Sequence, residues 1–484
     1  MKKYLFFLLI VLSTVSCNKN PQDEKWKSLD DTYRQRYFVN QFAFNMMNVY
    51  YLWKDEIQNG LNAWKGSEEP VSKVKSLRYK DAQGRDVDKW TVLTDNIKGM
   101  QEQVDGNTKS MGIDFSLYAA GENNERVAVV VNFTYEGSPA ALAGIKRGDV
   151  IVAIDGQTLT PDNYKDIINE TILGSKSAKL AFNDGREISL EPVQMYLNPV
   201  GCHKIIEKED RKIGYLFFSS FTRDAAADLV NVFSEFNYAG ITELVLDLRY
   251  NGGGYMLTSE VLASMIAPEK VVNSKCIFQR DIFNSILTET WGEEYTQFNT
   301  DFTIEGTLGN YEISTSGANP NIDKLTVIMT KSSASASEST VCGLMPYMDV
   351  TIVGQNSYGK YCGGYIVESK YWYDLYKNEL SEDTYNAGIK YTDNWGIYVM
   401  VSRYADKDGN TPCMPDGFEP DIKVDDDPLD GYELGDENET MLYTAINGKA
   451  PERSRSGLRK KASAPLEFQF ERPTIAIKSK PFHK

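Results

Sequence analysis

Lys331-Ser332-Ser333-Ala334-Ser335-Ala336-Ser337-Glu338 decides how the rest of this 484-residue chain is read. Just upstream, Leu325-Thr326-Val327-Ile328-Met329 is a short apolar run of β-formers, the pattern of a buried strand. Downstream, Val341, Cys342, Leu344, Met345 and Tyr347 recur at helical spacing, so the quoted residues turn a strand into a helix whose first turn carries Ser335. The N–H groups of a first helical turn have no intrahelical acceptor. With the helix dipole they favour negative charge, such as the oxygen of an acyl-transfer intermediate. Ser335 is therefore a candidate nucleophile. The same Ser335-Ala336-Ser337-Glu338 also fits a capping box, Ser followed three residues on by Glu, which needs no chemistry.

Working outward, a second strand-like run, Val350-Thr351-Ile352-Val353-Gly354, leads to Gly359-Lys360. A strand returning beside the first brings Lys360 toward Ser335, and a lysine in a dry pocket can lose its proton near neutrality and act as general base. On the other side, Leu244-Val245-Leu246-Asp247-Leu248-Arg249 is another buried strand, followed by Tyr250-Asn251-Gly252-Gly253-Gly254 and a helix over 257–266. Glycines between strand and helix let backbone N–H groups approach a ligand closely, which suits an oxyanion hole. A phosphate loop would need a Gly-Lys-Ser/Thr ending or a spaced G-x-G-x-x-G, and neither stands there.

Together these stretches resemble the C-terminal processing peptidases, also called tail-specific proteases. These are serine peptidases with a Ser-Lys dyad and an embedded PDZ domain. The resemblance lies in Ser333 to Glu338, the Val353-Gly354 strand end, Gly359-Lys360, and Asp247-Leu248-Arg249 running into Asn251-Gly252-Gly253-Gly254. It implies Ser335 as nucleophile, Lys360 as base, and an oxyanion hole from the Ala336 N–H and a glycine N–H, Gly252 or Gly253. Many members place a glutamine four residues after the lysine to orient it; here that position is Gly364. Since Gly363-Gly364 brings no charge, burial against apolar walls, with Tyr361 or Tyr365 nearby, is expected to depress the lysine pKa.

A second resemblance covers Gly137-Ser138-Pro139 through Gly148-Asp149 to the Val150–Ile154 strand and Asp155-Gly156, which is similar to a PDZ domain. The proline starts a short helix and Gly144 stops it. A PDZ domain adds a peptide as an extra strand and takes its terminal carboxylate on a loop of backbone N–H groups. Gly112-Ile113-Asp114-Phe115 aligns with that loop, so Gly112, Ile113 and Phe115 are the substrate-binding candidates. Asp114 stands where glycine is common, and its charge disfavours a carboxylate unless it points away.

The chain opens with Met1-Lys2-Lys3 and an apolar run to Leu12, too short to span a bilayer and typical of a secretory signal. It ends in Ser13-Thr14-Val15-Ser16-Cys17, which resembles a bacterial lipoprotein cleavage site and implies lipidation of Cys17. The expected location is the bacterial cell envelope, in the periplasm or on the outer-membrane surface, held by a lipid anchor. Formal charge is −16, and removing Lys2 and Lys3 makes it −18, so the body repels phosphate backbones and nucleic acid is not an expected partner. Two histidines, 203 and 483, and six cysteines without a C-x-x-C pair supply no zinc site, and Asp425-Asp426-Asp427 lacks the spaced ligands of a calcium loop. No metal or cofactor is expected.

The expected fold is α/β in a multidomain α+β arrangement: a lipoprotein signal at 1–17, a helical N-terminal region at 25–105, a PDZ-like domain at 106–195, a core of repeated ββα units resembling the crotonase-like fold at 200–430, and a tail at 431–484. The helical spacing of Phe38, Phe42, Met46, Val49 and Trp53 predicts a helix over roughly 30–55. Residues 451–484 carry nine Lys/Arg against three Glu and read as a mobile end. Polypeptides recognised near their C-terminus are the expected substrates. The competing reading is a catalytically inactive, peptide-binding lipoprotein on the same scaffold, its lysine unsupported because of Gly364.

Overall fold

The computed structural model describes residues 21–452 and 476–477; the signal at 1–17, Cys17 and most of the basic tail lie outside the described residues. Helix α1 (Asp31–Asn45) starts at Asp30, whose carboxylate accepts the Tyr33 N–H, and buries Phe38, Val39, Phe42 and Ala43. It does not run on to residue 55. A π-turn, Met46–Tyr50, ends it, Tyr51 is extended, and the Leu52 N–H donates to the Met400 carbonyl at 2.8 Å. The Asn284 amide donates to the Val49 and Tyr51 carbonyls at 3.0 and 2.9 Å, so tertiary hydrogen bonds replace the last helical turns. Strand β1 (Val92–Thr94) pairs antiparallel with residues 396–398. One apolar cluster joins Phe38, Phe42 and Leu93 to Leu246, Val327 and Val399, so the N-terminal region and the 200–430 region share a core.

Strands β2 (Ile113–Ala120), β3 (Arg126–Thr134), β4 (Val150–Ile154), β5 (Ala178–Phe182) and β6 (Glu187–Leu190) pair antiparallel in that order, with β2 at the edge. Their alternating apolar side chains, among them Val129, Val131, Ile151 and Leu180, close a separate core. As the pattern predicts, Ser138 caps a short helix, Pro139–Leu142.

The next stretch builds the main sheet and most of a second one: β7 (Val200–Lys208), β8 (Arg211–Phe218), α2 (Ala225–Ala239), β9 (Glu243–Asp247), β10 (Gly254–Tyr255), α3 (Met256–Ile266), β11 (Ile277–Phe283), β12 (Glu294–Gln297), β13 (Lys324–Met329), α4 (Ala336–Leu344), β14 (Val350–Gly354), β15 (Cys362–Glu368), β16 (Gly396–Ala405), β17 (Ile422–Lys423), α5 (Thr440–Asn447) and β18 (Ala476–Ile477). The order is β7-β8-β9-β13-β14-β17, with β7 antiparallel to β8 and every other pair parallel. Near-continuous apolar runs suit strands covered on both faces, and α/β is the fold class of the chain. The second sheet runs β10-β18-β15-β16-β11-β12, with β1 also on β16. Residues 431–452 are not tail. Glu439 caps α5, which buries Met441 and Leu442 in a cluster with Val245, Ile328 and Val353 of the main sheet.

The PDZ-like domain is docked through a buried ionic cluster. Arg147 donates to Asp426 at 2.7 Å and to the Tyr250 hydroxyl at 2.7 Å, while Arg249 donates to Asp426 at 3.0 Å, to Glu439 at 2.7 Å and to Asp247 at 2.7 Å. Beside it the Phe133 ring lies 4.9 Å from Phe217 and 5.9 Å from Tyr250. Burial opposes charge on Asp426, but the two guanidiniums overcome it and hold its pKa at about 2. Its contribution to stability is therefore full above the ordinary carboxylate range and is lost as pH falls toward about 2. Arg147→Met leaves Asp426 with one cation fewer in a dry site; chemical denaturation should show a loss of about 3 kcal/mol, and limited proteolysis should cut first in the PDZ-like domain. An unchanged midpoint and cleavage pattern would remove the cluster from docking.

Candidate active site

The loops that carry the candidate residues leave the carboxyl ends of three adjacent parallel strands. Asp247 of β9, Ile328 of β13 and Val353 of β14 lie at one level. Beyond that level come Gly252-Gly253, then Ser335, then Lys360. Crevices outside such strand ends are where open α/β sheets bind ligands.

The alternating serines divide into two roles. Ser333 Oγ donates to the Leu248 carbonyl at 2.7 Å, and Ser337 Oγ donates to the Asn251 carbonyl at 2.9 Å. The Ala334 N–H also donates to Asn251, at 3.0 Å, so the serine stretch is laced to the glycine loop. Ser335, between them, makes no such bond: its Oγ is buried and has no hydrogen-bond partner. Its backbone sits at φ 62°, ψ −113°, a conformation costly for a residue with a Cβ. Glu338 accepts the Ser335 N–H at 3.0 Å, in the arrangement of a capping box.

Gly253 faces Ser335. At φ 102° a Cβ on Gly253 would lie 2.7 Å from Ser335 Cβ and 3.0 Å from the Ala336 nitrogen, so only glycine allows this approach. The Gly253 N–H is spent on Asn251 Oδ1 at 2.9 Å. Gly252 and Ala336 donate their N–H groups to no acceptor among the described residues. Of the two candidate glycines, Gly252 is the one with an open donor.

Lys360 is fully buried. Its Nζ donates to the Tyr398 hydroxyl at 3.2 Å and lies 5.1 Å from the Tyr398 ring and 5.3 Å from the Trp90 ring. Burial lowers its pKa to about 8, against the upward pull of Cys362, Asp88 and Glu338. The expected cause, desolvation, thus operates, but the tyrosine that meets Nζ is Tyr398 and not Tyr361 or Tyr365. At Gly364 a Cβ would fall 2.3 Å from the Val399 carbonyl oxygen and 2.7 Å from Met400 Cε. A kink in the β15–β16 register falls at Gly363-Gly364, so this backbone has no room for the glutamine of the resembling enzymes.

Glu338 fixes both loops. Besides the Ser335 N–H it accepts the Lys360 N–H at 2.8 Å, the Gly359 N–H at 2.7 Å and the Ser357 hydroxyl at 2.5 Å. Burial pushes its pKa up to about 7, and these four donors act against that rise. Across the pair, the Tyr404 hydroxyl donates to the Lys360 carbonyl at 2.6 Å and lies 3.3 Å from the Ser335 carbonyl. Gly359, at φ 87°, packs so close to the 415–417 turn that a Cβ would lie 2.3 Å from the Pro415 oxygen.

The PDZ-like candidates stand apart from this centre. Gly112 and Ile113 lead into β2, whose outer edge is unpaired in the sheet, and the Asp114 carboxylate accepts the Asn132 amide at 2.8 Å. Sequence reasoning missed Tyr398, Tyr404 and Trp90, and took Glu338 only as a cap. Tyr398 and Tyr404 lie in one strand whose pairing slips by one residue between them, at Val401, so simple alternation gave no signal for the pair, and Trp90 carried none.

Known families match two parts of the chain. The profile described as Peptidase family S41 matches residues 212–424, and the one described as PDZ domain matches 130–172. Over 433 residues the chain is 23% identical to the chloroplastic C-terminal processing peptidase of Tetradesmus obliquus, covering 84% of this chain and 77% of that one. It is 25% identical over 271 residues to the carboxyl-terminal-processing protease of Synechocystis sp., covering 54% of this chain and 55% of that one. Among solved structures, an S41 protease family protein from Bacteroides fragilis superposes with a TM-score of 0.62 at 21% identity, over 84% of this chain and 95% of that one, which bears on the fold.

The Tyr398 contact carries a prediction. Tyr398→Phe should lower kcat about tenfold, with KM little changed, and move the midpoint of the pH–rate profile, because the hydroxyl positions the amine and does not touch substrate. Gly364→Gln, which restores the commoner residue, should inactivate the protein instead of improving it. Full activity in either variant would overturn the assignment of Tyr398 as the partner of Lys360.

Proposed function

We propose that this chain, whose residues 212–424 match the profile described as Peptidase family S41, is a serine-type peptidase that hydrolyses polypeptides with a Ser335-Lys360 dyad. The observation that carries this reading is the division of labour in the serine stretch: two hydroxyls brace the glycine loop, and the third, strained and buried, is left free.

In the proposed sequence Lys360, neutral, takes the Ser335 hydroxyl proton as Oγ attacks the scissile carbonyl carbon. The carbonyl oxygen becomes an oxyanion that the Gly252 and Ala336 N–H groups stabilise, with Gly253 keeping that loop close to Ser335. Collapse breaks the C–N bond, and the Lys360 ammonium protonates the leaving amine. Water, deprotonated by Lys360, then attacks the ester and releases Ser335. A base with a pKa of about 8 is largely protonated at pH 7, so activity rises as pH rises. The inactive-scaffold reading rests on Gly364 leaving Lys360 unsupported; the hydrogen bond from Lys360 Nζ to the Tyr398 hydroxyl favours the active one.

We further propose that substrates are held near their C-terminus, with the carboxylate on the Gly112-Ile113-Asp114-Phe115 loop and the backbone along β2. The tie from Asp114 to Asn132 supports this, since that carboxylate is already engaged. Export and lipid anchoring through Cys17 belong to the same proposal, on the strength of the leader sequence. Cys17→Ser should move the protein from the membrane to the soluble fraction of the producing cell; unchanged sedimentation with membranes would contradict anchoring at this residue.

Hydrolysis of an unstructured polypeptide with apolar C-terminal residues should be lost in Ser335→Ala. kcat/KM should climb with pH to a half-maximum near about 8. Lys360→Arg should be as inactive as Lys360→Ala, because a guanidinium does not give up its proton in a protein. Turnover in Ser335→Ala, or wild-type rates in Lys360→Arg, would refute the dyad.

A further inference from the structure

Strand β18 comes from the far end of the chain, yet it lies between the two strands that leave the catalytic loops. Ala476 pairs with Gly254 and Ile477 with Tyr255 of β10, while Ile477 also pairs with Gly364 of β15, all parallel. β10 begins one residue after Gly253, whose Cα approaches Ser335, and β15 begins two residues after Lys360. Without β18, β10 would be bonded in a sheet only through the bridge between Gly254 and Phe221, and β15 only to β16. The two edges therefore face each other across a slot one strand wide, beside the nucleophile.

Three features mark this slot as a site for exchangeable polypeptide. Backbone edges recognise any extended chain, which is how a peptide is added to a sheet. Two of the three residues that face β18 are glycines, and glycine in a strand marks where another backbone comes close. The ladder is also short. β18 has two partners on one side and one on the other, whereas β15 and β16 share seven, so few ladder bonds hold β18 in place. The segment around it, Thr474-Ile475-Ala476-Ile477, is made largely of strand formers with a small residue among them.

We propose that the slot between β10 and β15 is the binding site for the substrate backbone at the scissile region, and that the chain's own Ala476–Ile477 segment fills it as an intramolecular inhibitor. An incoming polypeptide has to displace it. The word inhibitor rests on the peptidase reading; occupancy of the slot does not. A tethered occupant competes at an effective concentration that reaches the millimolar range, enough to mask an external peptide of modest affinity.

The test compares full chains that all carry Ser335→Ala, so that nothing is turned over. A fluorescein-labelled synthetic peptide with the sequence of residues 470–484 is titrated into the full chain and into the full chain with Ile477→Pro. Proline cannot donate to a ladder, and residue 477 has a strand on both sides. The Ile477→Pro chain should bind the peptide about tenfold more tightly, and the same peptide with proline at the position of Ile477 should bind neither. A chain ending at residue 452 should match the Ile477→Pro chain if its melting temperature shows it folded. Equal affinity in both full chains, or tighter binding by the unaltered one, overturns the proposal. With Ser335 restored, relief should appear as a lower KM for an external polypeptide at unchanged kcat. If no form hydrolyses anything but the affinity difference persists, the peptidase reading falls and the slot stands. Hydrolysis with equal affinities sinks the slot alone.

Discussion

One carboxylate holds the candidate site together. Glu338 is sealed from solvent at the start of α4, where its four acceptor contacts take the N–H groups of Ser335, Gly359 and Lys360 and the hydroxyl of Ser357. A buried carboxylate without such donors would be very costly, so wherever Glu338 sits, the loops of β13 and β14 have to come with it. The strained backbone of Ser335 is a consequence. Its N–H is claimed by Glu338, its flanking serines are claimed by the glycine loop, and its own hydroxyl is left aimed at nothing in the protein. Tyr404 closes the arrangement from β16 by reaching both carbonyls.

That dependence explains why regions far apart in sequence share one core. β16 supplies Tyr398 and Tyr404, β1 pairs with it at Tyr398, and the segment leading into β1 brings Trp90 against Lys360. The N-terminal residues are therefore walls of the lysine pocket, and the low dielectric that depresses its pKa is partly their work. The PDZ-like domain meets the same centre from the other side. Arg147 grips Tyr250, the residue before Asn251, whose carbonyl and amide anchor the glycine loop.

Much of this was legible from the chain alone. The apolar runs at 244–248, 325–329 and 350–354 announced buried strands, and the loops after them held every residue of the proposed dyad and oxyanion hole, because such folds place chemistry at strand ends. What was not legible depended on tertiary pairing. The helix expected to reach residue 55 stops at Tyr50 because Met400, some 350 positions away, offers a better acceptor. The tail expected from 431 contains α5, whose apolar face is short and finds its partner only in the finished sheet. The orienting residue of Lys360 was sought near it in sequence, where Gly364 stood. It came instead from the opposite strand, since the Val399 carbonyl and the Met400 side chain fill the space a side chain at 364 would need.

The central claim is that a buried, readily deprotonated lysine activates a serine otherwise shut away from hydrogen bonds. A fluorophosphonate reagent, which forms a covalent bond only with an activated hydroxyl, tests it directly when the modified residue is located by mass spectrometry across a pH series. The account predicts a single adduct on Ser335, forming faster as pH rises through about 8 and absent when Lys360 is replaced by methionine. An adduct on another residue, or labelling of Ser335 at a rate indifferent to pH and to the loss of Lys360, would contradict it.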